Sequence, residues 1–264
     1  MKLKTWKRLL PMAISAAALL GSSAISNAQN PPYRIERLDR PDRPATFYDL
    51  NNFGVLVGSL TVNGVEQAHL FPHSSLFFGT PYIPLAPASA GTTIAKAVND
   101  MGEAAGSLSH FGFDQRAALF RDEQVTELGT LGGPFSFASG ISNHGSVIGS
   151  SRNAQSIDLG FLWKDGQMTA LPTLGGQSNV ARSINDAGVV VGSSQTSSPW
   201  NESHATSWQN GVATDLGTLG GVNSAALDIN KSGHIAGWSE INVSSGTRHA
   251  ALWYNGAVTD LGKL

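Results

Sequence analysis

The feature that most constrains this chain is a unit of about 45 residues that recurs five times. A fixed period in the 20–50-residue range marks an architecture in which each unit buries its apolar faces against its neighbours. The fullest copy runs from Ala213 to Trp253. It holds Asp215-Leu216-Gly217, then Thr-Leu-Gly-Gly, then Ala226 leading to Ile229-Asn230, the glycines Gly233 and Gly237, and finally Ala250-x-x-Trp253. The leucine of this unit recurs as Leu38, Leu85, Leu128, Leu171, Leu216 and Leu261. Nine or ten residues after the first five stand Phe47, Ala95, Ala138, Ala181 and Ala226, each leading to an apolar residue followed by Asn or Ser (Asn51, Asn99, Ser142, Asn185, Asn230). The glycine pair recurs at Gly54/Gly58, Gly102/Gly106, Gly145/Gly149, Gly188/Gly192 and Gly233/Gly237. Phe71, Phe120, Trp163, Trp208 and Trp253 close the units.

The turns identify the secondary structure. Asp165-Gly166, Asn210-Gly211 and Asn255-Gly256 follow the closing aromatics, and such dipeptides are the strongest short-range signal for a two-residue hairpin. Links such as Asn185-Asp186-Ala187-Gly188 use residues that tolerate positive φ. The runs between them are strand-length and too punctuated by glycine for helices. Each unit therefore reads as a four-stranded antiparallel meander, with strands a, b, c and d, and repeated meanders of this length form propeller blades. The fold class is all-β, a β-propeller of five four-stranded antiparallel blades, with units at about 47–86, 95–129, 138–172, 181–217 and 226–262. A β-solenoid is the rival, and the hairpin turns speak against it. Leu38 and Leu261 both lie in copies of strand d, giving one strand too many. Either one of them completes the closing blade by strand exchange between the termini, or the ring is open, or the chain is a piece of a longer array.

The first 28 residues read as an export signal. Lys2, Lys4, Lys7 and Arg8 precede the apolar run Leu9–Leu20, and Ser26-Asn27-Ala28 fits a small-x-small cleavage site before Gln29. An uncleaved anchor is the alternative, but the run is short for a bilayer. Residues 29–264 then form a single repeat domain. They carry 13 Lys and Arg against 19 Asp and Glu, a formal charge of −6. A mildly acidic surface without basic runs argues against nucleic acid and anionic membranes. The chain has no cysteine, so neither a disulfide nor a lipidated Cys supports it, and the fold rests on its core.

The run DLGTLGG, then A-x-x-I-N-x-x-G-x-x-x-G-x-S, then HA-x-x-W resembles the HAF family of probable extracellular repeats, named for a His-Ala-Phe at the start of strand c. His204-Ala205 and His249-Ala250 keep the first two positions, whereas Gln67-Ala68, Arg116-Ala117 and Leu159-Gly160 lack the histidine. In the first unit Asp39-Arg40-Pro41 replaces the Leu-Gly-Gly link. The resemblance implies an exported bacterial protein and supplies no catalytic residues.

Candidate chemistry is sparse. In a meander the b–c and d–a links share one rim, and here the b–c links vary: Leu60–Gln67, Leu108–Arg116, Ser151–Leu159, Ser194–His204 and Ser239–His249. Variation on a rigid scaffold is where binding is expected. Trp200, Asn201, Glu202 and Trp238 are therefore the candidate ligand-binding residues, the rings to stack on sugars and the polar groups to meet hydroxyls. The plainer reading packs Trp238 between blades and folds Trp200 onto a neighbouring loop. The repeated aromatics read as blade-to-blade core. His204 and His249 share one repeat position and read as architectural, and the other histidines lack zinc spacing. The Asn-Asp-x-Gly links lack the carboxylate ladder of calcium loops. No metal site, cofactor or catalytic set is expected. Asp49 and Asp228 in strand a are the inner-strand carboxylates that a glycan hydrolase would need.

The sequence thus predicts an exported, non-enzymatic binding or surface-interaction module, extracellular or periplasmic. Its expected partner is a carbohydrate or other cell-surface polymer, or another protein. It is not expected to bind nucleic acid or to insert stably in a membrane. A propeller-type glycan hydrolase and a structural or protein-docking scaffold are the alternatives.

Overall fold

Two-residue turns close the hairpins where the dipeptides place them. In the computed structural model, φ is 51° to 53° at Asp165, Asn210 and Asn255 and 76° to 83° at the glycine that follows each. Positive φ at both positions is the type I′ turn, whose twist matches that of paired strands. The structure describes residues 45–72, 82–109, 114–243 and 246–263. The leader at 1–28 and the first copy of strand d, at Tyr33–Leu38, lie outside the described residues.

Five antiparallel sheets follow one another along the chain, each a meander of four strands in sequence order. Blade 1 holds β1 (Ala45–Leu50), β2 (Leu56–Val62), β3 (Val65–Phe71) and β4 (Ile83–Pro84). Blade 2 holds β5 (Thr92–Val98), β6 (Ala104–Ser109), β7 (Gln115–Arg121) and β8 (Gln124–Glu127). Blade 3 holds β9 (Gly132–Ile141), β10 (Val147–Asn153), β11 (Asp158–Lys164) and β12 (Gln167–Ala170). Blade 4 holds β13 (Gly175–Ile184), β14 (Val190–Thr196), β15 (Ser203–Gln209) and β16 (Val212–Gly217). Blade 5 holds β17 (Ser224–Ile229), β18 (Ile235–Glu240), β19 (Arg248–Tyr254) and β20 (Ala257–Lys263).

Two details differ from the sequence reading. The expected variable loop Leu60–Gln67 is instead a continuous hairpin: β2 and β3 pair through Val62 and Val65. Asn63 and Gly64, with φ of 52° and 81°, close it as another type I′ turn. The double glycines of the links at 132–133 and 175–176 belong to the first strands of blades 3 and 4, where Gly132 pairs with Asn153 and Gly175 with Thr196.

One irregularity recurs in every blade. The first strand slips by one residue against the second, between Phe47 and Asp49, Ala95 and Ala97, Ala138 and Gly140, Ala181 and Ser183, and Ala226 and Asp228. Such a bulge puts two residues opposite one and bends the strand. The second glycine of each pair faces this bend. A Cβ at Gly58, Gly106, Gly149, Gly192 or Gly237 would overlap the carbonyl oxygen of Thr46, Ile94, Phe137, Val180 or Ala225 respectively. Only glycine admits so close a backbone approach.

Four apolar clusters fill the four boundaries between successive blades. The face of each blade turned toward the next, its forward face, contributes Val57, Ala105, Ile148 or Val191, each with no exposed surface. Phe71, Phe120, Trp208 and Trp253 of the closing series are buried, and Trp163 is half-buried beside a fully buried Phe161.

Polar links repeat at the same boundaries. A buried oxygen near the start of the first strand in each of blades 2 to 5 accepts a main-chain amide from the third strand of the preceding blade. The pairs are Thr93 with Ala68 (2.9 Å), Ser136 with Ala117 (2.8 Å), Asn179 with Gly160 (2.6 Å) and Ser224 with Ala205 (2.8 Å). At the rim formed by the links from first to second strand, the motif asparagine caps its own turn through its Oδ1. It also donates its Nδ2 to the next blade: Asn51 to the Asn99 carbonyl, Asn99 to Ser142, and Asn185 to Asn230. Ser142 has no amide to donate, and this series breaks between blades 3 and 4.

The boundary between blades 5 and 1 differs. Among the described residues no strand of blade 5 packs on blade 1 as successive blades pack. Ala236, the counterpart of Val57 and Val191, is exposed, and Leu50 of blade 1 is 56% exposed where its counterparts Val98 and Ile229 are buried.

Candidate ligand site at the channel mouth

The recurrent bulge decides what lines the centre of the ring. Its extra residue leaves the ladder, and in the five blades that residue is Tyr48, Lys96, Ser139, Arg182 and Leu227. All five line one cavity of about 270 Å³ to which every blade contributes. The residue that follows each (Asp49, Ala97, Gly140, Ser183, Asp228) lines it too. These are the two variable positions of the A-x-x-I-N segment, and their chemistry differs from blade to blade while the frame around them stays constant.

The charges in this cavity are arranged rather than mutually cancelled. Lys96 holds its ammonium 3.3 Å from the centroid of the Tyr48 ring, a cation–π pair. Arg182 is exposed and makes no ion pair with a described residue. Asp49 is tied into the frame, its two oxygens accepting the main-chain amides of Leu50 (2.8 Å) and Val98 (2.9 Å). Asp228 accepts the Ser183 hydroxyl at 2.7 Å. The cavity therefore offers a guanidinium, an ammonium and a phenol from three blades, with carboxylates placed as acceptors. A hydroxyl-rich ligand bearing an acidic group matches that set of donors and acceptors.

The rim beside this mouth carries a second polar series. Asn52 donates its amide and its main-chain NH to Asp100 (2.9 and 3.0 Å), and Asn143 does the same to Asp186 (2.9 and 2.8 Å). Asp100 in turn donates its main-chain NH to Asn143 (2.8 Å). The Asn52 side chain is the largest of the influences that hold the Asp100 carboxyl below its ordinary pKa. These Asn-Asp-x-Gly links thus couple blades. Among the described residues no group of three His, Cys, Asp or Glu side chains is placed to hold a metal ion.

The residues singled out in the sequence fall on different surfaces. Trp200, Asn201 and Glu202 share the loop between β14 and β15. The Trp200 ring is 81% exposed, and Asn201 takes a φ of 56°. Trp238 lies within β18, on the forward face of blade 5, with the Arg248 guanidinium 3.9 Å over its ring. His204 and His249 place Nδ1 2.8 and 2.9 Å from Asp215 and Asp260 on the adjacent strand. This explains their shared repeat position: the pair is His–Asp in blades 4 and 5, Arg116 and Glu127 hold it in blade 2, and Leu159 and Ala170 in blade 3.

The bulge residues Tyr48, Lys96, Ser139 and Arg182 were not candidates on sequence. A signal for them existed. Ala226 and Ile229 are three apart in a strand yet bury into one cluster, as do Ala95 and Val98. A period of two puts such residues on opposite faces unless one residue between them is bulged out.

Five four-stranded meanders around a shared channel define a five-bladed β-propeller. Solved propellers agree. TolB from Acinetobacter baumannii matches with a TM-score of 0.51 at 10% identity, over 84% of this chain and 56% of that one. A putative TolB from Agrobacterium tumefaciens matches with a TM-score of 0.56 at 13% identity, over 84% of this chain and 82% of that one. The chain thus spans little more than half the length of the first, and identities this low speak to the fold alone. No family profile matches the chain, and no curated protein matches it. Among the described residues no helix is long and apolar enough to cross a membrane.

Proposed function

We propose that this protein is an exported binding module of the HAF repeat type, and that it takes an acidic carbohydrate, free or at the end of a cell-surface polymer, at the channel mouth. The observation that carries the reading is the recurrent bulge, which aims a different side chain from each blade into one cavity. Arg182 and Lys96 meet the acidic group, and Tyr48, Ser139 and the Asp228 carboxylate meet hydroxyls. The reading of residues 1–28 as an export signal and the motif resemblance support a location outside the cytoplasm. Asp49 and Asp228 line the same cavity, which is the feature a hydrolase would use. The two main-chain bonds held by Asp49 favour a structural part for it.

A second reading rests on the 81% exposure of Trp200, which makes the β14–β15 loop a stacking platform for a neutral sugar. A glycan array probed with residues 29–264 separates the two. On the first reading, uronic- or sialic-acid glycans bind, salt weakens them, and Arg182→Ala lowers affinity about 10- to 100-fold. Neutral glycans lost only in Trp200→Ala support the second. Silence of a folded protein across the array removes both, and release of cleaved sugar makes the protein a hydrolase.

A further inference from the structure

We propose that the forward face of blade 5 is a docking surface for a further blade of the same repeat type. Four boundaries in this molecule are built alike: a small or branched apolar residue on the forward face, buried, and an amide of the third strand held by an oxygen in the next blade's first strand. Blade 5 carries the first half of that interface without the second. Ala236 stands where Val57, Ala105, Ile148 and Val191 are buried, and it is exposed; Trp238, Ala250 and Leu252 on the same face are half-buried. The Ala250 amide occupies the position of the four held donors, in the register of its counterpart Ala205.

Blade 1 cannot answer this face. At the position of Thr93, Ser136, Asn179 and Ser224 it has Ala45, which offers no side-chain oxygen. Phe47 replaces the small residue two positions on. Its ring packs edge-on against Phe71 at 4.9 Å, and Phe71 packs against Tyr82 at 4.9 Å, so blade 1 seals itself. A second copy of the chain answers no better, because its four accepting oxygens are spent within its own boundaries, on residues at most 3% exposed. The face therefore calls for a sixth blade, with Ser, Thr or Asn two residues before a small residue in its first strand.

The test gives blade 5 such a neighbour. In the full chain, residues 218–264 are repeated directly after Gly262, which sets a sixth unit in phase with its own Ser224 hydroxyl. The expected result is a single melting transition raised by about 5 °C or more. Hydrogen exchange at Ala250 should slow at least tenfold, and at least half of the thermal gain should vanish when Ser224→Val is made in the added unit alone. An unmoved parent transition, a separate second transition, or exchange at Ala250 that does not change overturns the proposal. So does a dimer of the parent chain that Ala236→Arg dissociates, since a second copy would then be the occupant.

Discussion

Ser224 accepts a hydrogen bond from the Ala205 amide at 2.8 Å and donates one from its hydroxyl to the Gly217 carbonyl at 2.8 Å. One hydroxyl thus joins the first strand of blade 5 to the body of blade 4. Ser136 does the same between blades 2 and 3, from Ala117 to Gly129. Truncation would leave a buried amide and a carbonyl without partners, which costs more than the lost bonds themselves. Ser136→Ala should lose about 2 kcal/mol in urea denaturation, while Ser136→Thr, which keeps the oxygen as Thr93 does, should lose well under half of that.

The glycine opposite each bulge should be intolerant. In Gly149→Ala the new methyl meets the Phe137 carbonyl, which belongs to backbone and cannot step aside. A loss of about 3 kcal/mol is expected, read as a fall in melting temperature of about 6–12 °C. Alanine at Ser150, outside that contact, should fall by no more than a third as much.

The broken series of rim amides offers a gain. Asn99 caps Met101 and Glu103 with its oxygen and reaches Ser142 and Glu103 with its amide, so Asn99→Ala should cost about 2–3 kcal/mol. Ser142→Asn would supply the missing donor toward the Asn185 carbonyl. A gain of about 1 kcal/mol is expected in denaturant, and a loss would show that the break between blades 3 and 4 is required.

Acid should loosen the same rim. The Asp100 carboxyl is held below its ordinary pKa, first by the Asn52 side chain. A group depressed in the folded state contributes stability that is present above its unfolded pKa and is lost as pH falls through the folded value. Melting temperature should therefore drop as pH falls below about 4, and Asp100→Asn should flatten that drop. An unchanged slope would remove Asp100 from the acid response.

Much of the fold was legible because the residues that mark it act locally. Asn and Gly at a type I′ turn fix a hairpin wherever they stand, and five copies in one register fix the blade. The channel was not legible in the same way. A bulge moves no residue in the sequence; it changes only which neighbour a residue faces, and simple alternation along a strand does not mark Lys96 and Arg182 as channel residues. Trp238 illustrates the converse. Its sequence allowed both a sugar platform and a place between blades, and strand parity with Ala236 puts it on a blade face under Arg248. The blade 1 loop misled because Asn63-Gly64 was counted as part of a variable segment when it was the turn itself.

The links between blades have a bearing on how the chain folds as it emerges. The hydrogen bonds that join one blade to the next connect residues 7 to 49 positions apart, and each successive boundary needs only the unit just made. A polypeptide delivered N-terminus first through a narrow conduit can thus gain stability blade by blade as it clears the exit, long before its last strand arrives. Each added blade then holds the one before it in place, so the modular architecture supplies a direction to folding as well as a scaffold at its end.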